Sequence, residues 1–424
     1  MKNYNWSTFF ELHGIAPFWN GLTFTEFNQQ RIEFCRTHFI PKNKKVGISE
    51  KDPKNFLFKL FSLWENDCTP VLLPFSATQS ERLQFFKTAP YHYLWEDQFY
   101  HLSDLEFKAP REEVLILFSS GSSGSPKGIS LSAENLYASA QGSLEFYQEY
   151  LNPTTKWEMN LPLHHIGGLM IPLRALIAGH QLTTGIGTVT SMVPTQLIRA
   201  LKEKDTDSLT KYQLILLGGA GIPVSLLKQA YQLGLKISPT YGLTETTAQV
   251  CAALPSDCAL NAGGPLPHQE IRVVDGIIQV KSSTISAGQY RDGKFKQHCM
   301  DEGFFSTKDL GLFSNSGLDI LGRNDGQFIS GGENISPTEI ENFVLTHPEI
   351  IQAVVVPKTH SEFGNCPVLY YQTRNQQPLV CNDLKTFCSK GLSPYKVPKK
   401  FIHGLLQFGL KPSRQKLIEA ATGL

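Results

Sequence analysis

The sequence is poor in the features that mark several large classes of protein. Its 424 residues include only eight cysteines, and no two of these have the C-x-x-C spacing of a zinc or redox site. Cysteines this sparse are typical of proteins whose thiols stay reduced, so we expect a cytoplasmic protein. Apolar runs such as residues 114–118 fall far short of the roughly 18 residues that a membrane span needs. The first ten residues do not resemble a secretory signal either.

The sequence also lacks an excess of charge of one sign. Lysine and arginine total 39, and aspartate and glutamate total 38, which gives a formal net charge of +1. Neither a basic nucleic-acid footprint nor an acidic tail is present, so we expect no nucleic-acid partner. Hydrophobic residues make up 41% of the chain and charged residues 18%, a composition typical of a globular protein with a large core.

Short apolar strands alternate with helical stretches, which predicts an α/β fold. Residues 114–118 and Leu214–Leu217 read as buried strands, and each is followed by a turn of small residues. In open α/β sheets, ligands bind beyond the carboxyl ends of strands, so we expect a nucleotide at these turns. Helices are predicted over residues 133–147 and 194–204.

The pattern changes in the last third of the chain. Short strands separated by Gly, Asp and Asn turns fill residues 270–330 and predict a small β-barrel-like part. A smaller α+β unit follows, with a helix at 338–345 that Pro337 opens. We therefore predict a large N-terminal domain of layered α/β subdomains (1–324) and a small mobile C-terminal domain (325–424) with a hinge near Asp325.

The most informative stretch is SSGSSGSPKG at residues 119–128, directly after a predicted strand. Five serines and three glycines offer hydroxyl and backbone N–H donors on a flexible backbone, which suits polyphosphate oxygens. The alternative is a surface turn or linker. A nucleoside-triphosphatase P-loop is excluded by spacing, because Lys127 is followed by Gly128 rather than by Ser or Thr.

This loop resembles the signature of the adenylate-forming superfamily of acyl-CoA synthetases, adenylation domains and luciferases. Three further stretches resemble motifs of that superfamily, in its order: TYGLTET at 240–246, FSTKDLG at 305–311, and GRNDGQFISGGENISPTEI at 322–340. The resemblance covers roughly residues 45 to 424. It implies an enzyme that joins a carboxylate to ATP, releases pyrophosphate, and passes the acyl group from acyl-AMP to a thiol, usually that of coenzyme A.

The resemblance also implies residue roles. ATP contacts are implied for Ser119, Ser120, Gly121, Ser122, Ser123, Gly124, Lys127, Gly218, Gly219, Ala220, Tyr241, Gly242, Asp309 and Arg323. Thr244 would meet the α-phosphate and Glu245 a Mg²⁺ ion, which usually takes one or two carboxylates plus phosphate oxygens. The alternative for Glu245 is a carboxylate in the first turn of a helix. Tyr241 would stack on adenine or belong to the core, and Lys308 stands where the family has glycine.

The C-terminal motif of the family is altered here. Lys411 is the best match for the catalytic lysine of adenylation, although its usual glycine partner is displaced to Gly409; the alternative is a surface lysine. Gly326 follows Asp325 at the predicted hinge and widens the accessible backbone conformations there, as rotation between two half-reactions would need. Gly331 and Gly332 are expected to flank the channel for coenzyme A.

Residues 161–179 cover the acyl-pocket region of the family. The pattern resembles the o-succinylbenzoate–CoA ligases of menaquinone biosynthesis, and no aspartate is present to hold an α-amine. His165 would contact the reactive carboxylate or be a core histidine. Arg174 would bind a second carboxylate bidentately or form a salt bridge on the helix surface. Another aryl- or acyl-CoA ligase, a ligase that loads a carrier protein, and a non-catalytic relative stay open, as does a homo-oligomer.

Overall fold

The computed structural model describes residues 6–104, 110, 112–119, 126–203, 206–222, 224–323, 326–373, 375–404 and 414–422. Within these residues the helices are α1 Ser7–His13, α2 Phe24–Arg36, α3 Pro53–Glu65, α4 Gln79–Thr88, α5 Ala133–Phe146, α6 Ile166–Ala178, α7 Pro194–Lys202, α8 Thr206–Leu209, α9 Val224–Gln232, α10 Pro337–Val344, α11 Cys381–Ser389 and α12 Arg414–Thr422. None of these helices is long and apolar enough to cross a membrane.

Two large sheets carry the first part of the chain. One consists of β1 Pro17–Trp19, β2 Leu22–Thr23, β9 Lys156–Glu158, β10 Gln181–Thr183, β11 Val189–Met192, β12 Leu214–Leu217, β13 Ile237–Leu243, β14 Ala248–Ala252 and β15 Gly264–Pro265, in the order 15-14-13-12-11-9-10-1-2. The other consists of β3 Lys45–Ile48, β4 Thr69–Leu72, β5 Tyr93–Trp95, β6 Phe99–His101, β7 Glu113–Ser119, β8 Lys127–Ser132, β18 Gly288–Arg291 and β19 Lys294–Gln297, in the order 19-18-8-7-4-3-5-6. Their central strands are parallel, which confirms the α/β prediction.

Two smaller sheets follow. The first is antiparallel and consists of β16 Glu270–Val274, β17 Ile277–Lys281, β20 Met300–Asp301, β21 Phe304–Ser314 and β22 Gly317–Arg323, where the barrel-like part was predicted. The second consists of β23 Phe328–Ser330, β24 Glu333–Ile335, β25 Ile350–His360, β26 Gly364–Thr373 and β27 Lys400–His403. The last sheet forms a separate small domain with its own apolar cores. The exact boundary at 324/325 stays a prediction.

Local sequence explains where several helices begin. Asp52 accepts a hydrogen bond from the backbone N–H of Asn55 and caps α3, whose first residue is Pro53. Thr78 and Glu81 form a reciprocal capping box at the start of α4. Each such cap satisfies backbone N–H groups that the helix cannot, and stabilises the protein by about 1 kcal/mol.

The main core lies between the two large sheets and is rich in aromatic side chains. Phe18, Phe24 and Phe27 are fully buried there, with ring centroids 4.3 to 4.9 Å apart between Phe18 and its two partners. Helix α6 crosses this core and is buried on almost every side. It carries Arg174 into the interior, so the tightly packed core positions a charged side chain.

Candidate active site

The end of β7 and the start of β8 bring two predicted phosphate-binding residues together. Ser119 is in register with Lys127 across this hairpin. The Ser119 hydroxyl oxygen is buried and makes no hydrogen bond to a described residue. Lys127 is buried, and its Nζ lies 3.7 Å from Oε1 of Glu245. The lysine ammonium and the unsatisfied hydroxyl can donate hydrogen bonds to phosphate oxygens, and the nearby carboxylate of Glu245 can hold a cation between them.

Several predicted site residues lie outside the described residues. These are Ser120, Gly121, Ser122, Ser123, Gly124, Asp325 and Lys411. The backbone of Arg323 closes β22 in register with Asp309 on β21, which places the two predicted ribose-binding positions on neighbouring strands.

The predicted adenine turn follows β12 and packs closely on β13. A Cβ atom added to Gly218 would lie 2.3 Å from Oγ1 of Thr240, so only glycine fits there. Gly219 has a φ of +74°, in the left-handed region that favours glycine. Ala220 and the two glycines thus leave the backbone of this strand end open to a flat ring.

Tyr241 and Asp309 form a buried pair beside this turn. The Tyr241 hydroxyl donates a hydrogen bond of 2.7 Å to Oδ2 of Asp309. Burial and the negative charge of Asp309 raise the pKa of Tyr241 well above its ordinary value, so its hydroxyl stays a donor. The ring belongs to a buried apolar cluster, which favours the core alternative, and its stacking on adenine stays a prediction. Lys308 has a φ of +66°, the conformation for which glycine is better suited.

Thr244 and Glu245 lie in a turn over residues 244–247 between β13 and β14. The alternative that Glu245 opens a helix is therefore wrong. Close packing requires glycine just before this turn, because a Cβ on Gly242 would lie 1.7 Å from the carbonyl oxygen of Ala248. The described residues contain no group of three or more His, Cys, Asp or Glu side chains that could cage a metal. One carboxylate beside a phosphate site fits Mg²⁺, which keeps waters and phosphate oxygens as its other ligands.

Arg174 is buried inside α6, and none of the described residues gives it a carboxylate partner. It is 2% exposed, and no ion pair to it is found among the described residues, so the predicted alternative of a surface salt bridge is wrong. One guanidinium nitrogen donates a hydrogen bond of 2.8 Å to Oε1 of Gln249, and the group lies over the Trp157 ring. Its Nε has no hydrogen-bond partner in the described part of the chain. Burial lowers the pKa of Arg174 to about 10, which leaves it cationic at neutral pH.

His165 stands before α6 and contacts the C-terminal domain. Its Nε2 lies 3.2 Å from Oε1 of Glu333 on β24, and its side chain is 40% exposed. The core-histidine alternative is therefore wrong. Burial opposes the ionisation of Glu333, but the hydrogen bond that it accepts from His165 acts in the opposite direction, and the pKa of Glu333 is lowered. Burial and His165 lower the pKa of neighbouring His164 to about 3, so His164 is neutral.

Gly331 and Gly332 form the tight turn between β23 and β24. Their φ values are +63° and +91°. A Cβ on Gly332 would lie 3.1 Å from the Val193 side chain at the start of α7, so this hairpin rests directly on the N-terminal domain. Their predicted role beside coenzyme A stays a prediction, and the described arrangement places them next to the His165 contact.

Sequence reasoning missed three side chains of this site. Gln249 and Trp157 surround Arg174, and Glu333 meets His165. A signal existed for two of them: Gln249 is a polar residue within the apolar strand AQVCA, and Glu333 belongs to the hinge motif. Trp157 gave no signal, because an aromatic residue in a strand is ordinarily core.

Two family models match this chain, one in each domain. The AMP-binding enzyme model matches residues 65–277, and the model of the AMP-binding enzyme C-terminal domain matches residues 339–406. The chain belongs to the AMP-binding enzyme family. This confirms the superfamily and the enzyme class that the sequence predicted.

Individual relatives agree with that assignment. The 2-succinylbenzoate–CoA ligase of Salmonella typhimurium is 36% identical over 321 residues, which are 73% of this chain and 69% of the relative. A double mutant of the o-succinylbenzoate–CoA synthetase of Bacillus subtilis, bound with a product analogue, is 25% identical, superposes with a TM-score of 0.81, and covers 94% of each chain. The unliganded form of the same Bacillus enzyme, at 24% identity, gives 0.64 and covers 93% of this chain and 98% of its own. The predicted resemblance to these ligases is confirmed.

Proposed function

We propose that this chain is an AMP-forming acid–thiol ligase that uses ATP and Mg²⁺ to adenylate 2-succinylbenzoate and transfers the acyl group to coenzyme A. The observation that carries the substrate is Arg174, a buried cation without a carboxylate partner among the described residues. A buried charge costs several kcal/mol unless it is paired, and 2-succinylbenzoate has two carboxylates. One can be activated while the other binds the Arg174 guanidinium. The free cysteines of the described chain support a cytoplasmic location.

The residues divide the chemistry between two ends of the site. The carboxylate to be activated is already an anion and attacks the α-phosphorus without a general base. Lys127 and Ser119 hold the departing phosphates, and Thr244 contacts the α-phosphate. Mg²⁺ on Glu245 would neutralise charge on the phosphate oxygens. Asp309, positioned by Tyr241, accepts hydrogen bonds from ribose hydroxyls.

ATP–pyrophosphate exchange with a panel of acids tests this proposal. We expect exchange with 2-succinylbenzoate and much less with benzoate, succinate or a fatty acid. Adding coenzyme A or a phosphopantetheinyl carrier protein then identifies the acceptor, and we expect the coenzyme A thioester. Preference for another acid would indicate a different acyl- or aryl-CoA ligase. Transfer to the carrier protein would indicate an enzyme that loads carriers, and absence of all exchange would indicate a non-catalytic relative.

Lys411 is proposed as the catalytic lysine of the first step. Replacing it by alanine should abolish acyl-AMP formation, because the transition state loses a positive charge beside the α-phosphate. Coenzyme A should still react with supplied acyl-AMP at close to the normal rate. The two half-reactions, measured separately on the same preparation, decide the assignment, and unchanged adenylation would refute it.

A further inference from the structure

A buried ion cluster joins the first turn of α4 in the N-terminal domain to the C-terminal domain. Glu81 lies on α4 of the N-terminal domain, and Lys396 lies in the segment between α11 and β27. Lys396 Nζ is 3.4 Å from Oε1 of Glu81, and the Ser393 hydroxyl donates a hydrogen bond to the same oxygen. Glu81 is 5% exposed and Lys396 is 8% exposed. This Glu81–Ser393–Lys396 contact is called the interdomain latch below.

Each side of the latch keeps a partner of its own. Oε2 of Glu81 accepts hydrogen bonds from the backbone N–H and the hydroxyl of Thr78, at 2.9 and 3.1 Å, within the N-terminal domain. Lys396 donates a hydrogen bond of 2.7 Å to Glu339 within the C-terminal domain. If the domains separate, neither Glu81 nor Lys396 loses its last partner. The contact can therefore open without leaving either charged group without a hydrogen-bond partner, unlike an ordinary buried ion pair.

The charges of the latch favour its closed form. Burial opposes the ionisation of Glu81, but the hydrogen bond from Ser393 and the charge of Lys396 outweigh it, so its pKa lies below the ordinary value. Burial also opposes the charge of Lys396, but Glu339, Tyr395 and Glu81 outweigh it and raise its pKa. Both groups are thus ionised at neutral pH, in surroundings where their attraction is screened less than at the surface.

The solved structures of the Bacillus enzyme differ in arrangement. This chain superposes on the product-analogue form with a TM-score of 0.81 and on the unliganded form with 0.64, at nearly equal identity and coverage. The two Bacillus structures therefore differ in shape from one another, and this chain shares the shape of the first. In this shape Gly332 rests on Val193 and Glu333 meets His165.

We propose that the interdomain latch selects this domain arrangement and that Glu81 and Lys396 are positioning residues for transfer to the thiol, with no part in adenylation. This rests on the proposed function only for the identity of the two steps. The arrangement that the latch holds is the one in which the Gly331–Gly332 turn closes on the acyl side of the site. Another interdomain ion pair, between Arg199 and Glu362, is more exposed and serves as a comparison.

The test uses the full chain with Glu81→Gln, an isosteric change that removes the charge and leaves the Lys396–Glu339 pair intact. Glu96→Gln is the matched control, because Glu96 pairs with Arg82 of the same helix within one domain. Spin labels on the exposed Cys258 and Cys381, with Cys299 changed to serine, report the separation of the domains by double electron–electron resonance. Single-turnover assays measure the two half-reactions.

We expect Glu81→Gln to add a second distance population and to slow acyl transfer about tenfold, with adenylation changed less than twofold. Glu96→Gln should change neither, and Glu362→Gln should have a smaller effect than Glu81→Gln. The proposed role of the interdomain latch would be wrong if Glu81→Gln left the distance distribution unchanged. It would also be wrong if the Glu96→Gln control shifted that distribution equally. If the wild type makes no thioester from 2-succinylbenzoate, the proposed substrate fails, while the distance measurement still decides the latch.

Discussion

Two arginines of the N-terminal domain are equally buried but have different surroundings. Arg31 on α2 and Arg174 on α6 are each 2% exposed. Arg31 makes a bidentate pair with Glu65 at 2.6 and 2.7 Å and also donates to Asn28 and Ser62. Among the described residues, Arg174 has the neutral Gln249 as its hydrogen-bond acceptor and an unpartnered Nε.

The difference is the one we expect between a charge that serves the structure and a charge held for a ligand. The desolvation of a guanidinium is offset in Arg31 by a carboxylate of the same chain. In Arg174 the offset is incomplete, and burial lowers its pKa to about 10. The desolvation of this guanidinium destabilises the folded protein unless an anion binds to it. Under the proposed function, the second carboxylate of the substrate is that anion.

The largest effect is expected at Arg31. Replacement by methionine should lower the free energy of unfolding by about 3 kcal/mol, because it leaves Glu65 partly buried and unpaired. The Michaelis constants should not change. Denaturant unfolding measures the first quantity and steady-state kinetics the second. Arg36→Met is the control, since the Arg36–Glu33 pair is exposed and should contribute less than about 0.5 kcal/mol.

Arg174→Met should have the opposite effects, with little loss of stability and a large loss of activity. The free energy of unfolding should change by less than about 1 kcal/mol, because methionine fills the space and no carboxylate loses its partner. The value of kcat/KM for 2-succinylbenzoate should fall about 100-fold, or about 2.7 kcal/mol, and that for a monocarboxylate much less. Equal losses for both acids would show that Arg174 does not bind the second carboxylate. The proposed functional difference from Arg31 would then be wrong.

The strands that lead into this site were predictable because their signals are local in sequence. The strands predicted at 114–118 and Leu214–Leu217 are found as β7 Glu113–Ser119 and β12 Leu214–Leu217. The helix predicted at 133–147 is found at Ala133–Phe146. Chain spacing within a turn fixes these positions without knowledge of the remaining fold.

Contacts across elements could not be predicted in this way. Arg174 and Gln249 are 75 residues apart, and Glu81 and Lys396 are 315 apart, so only the packed sheets and domains bring them together. The surroundings of Arg174 were nevertheless partly readable. Helix α6 is apolar on nearly all sides, which indicates a buried helix and argues against a surface salt bridge.

The smallest expected effect comes from giving Arg174 a carboxylate of its own. In Gln249→Glu, the new carboxylate would replace the amide oxygen that lies 2.8 Å from the guanidinium, as Glu65 does for Arg31. We expect no loss of stability. The KM for 2-succinylbenzoate should rise about tenfold, because the new carboxylate at position 249 already occupies the position of the substrate carboxylate. Gln249→Met is the control: it removes the acceptor without adding charge and should raise KM less. An unaltered KM in the glutamate variant would mean that Arg174, like Arg31, serves the fold rather than the substrate.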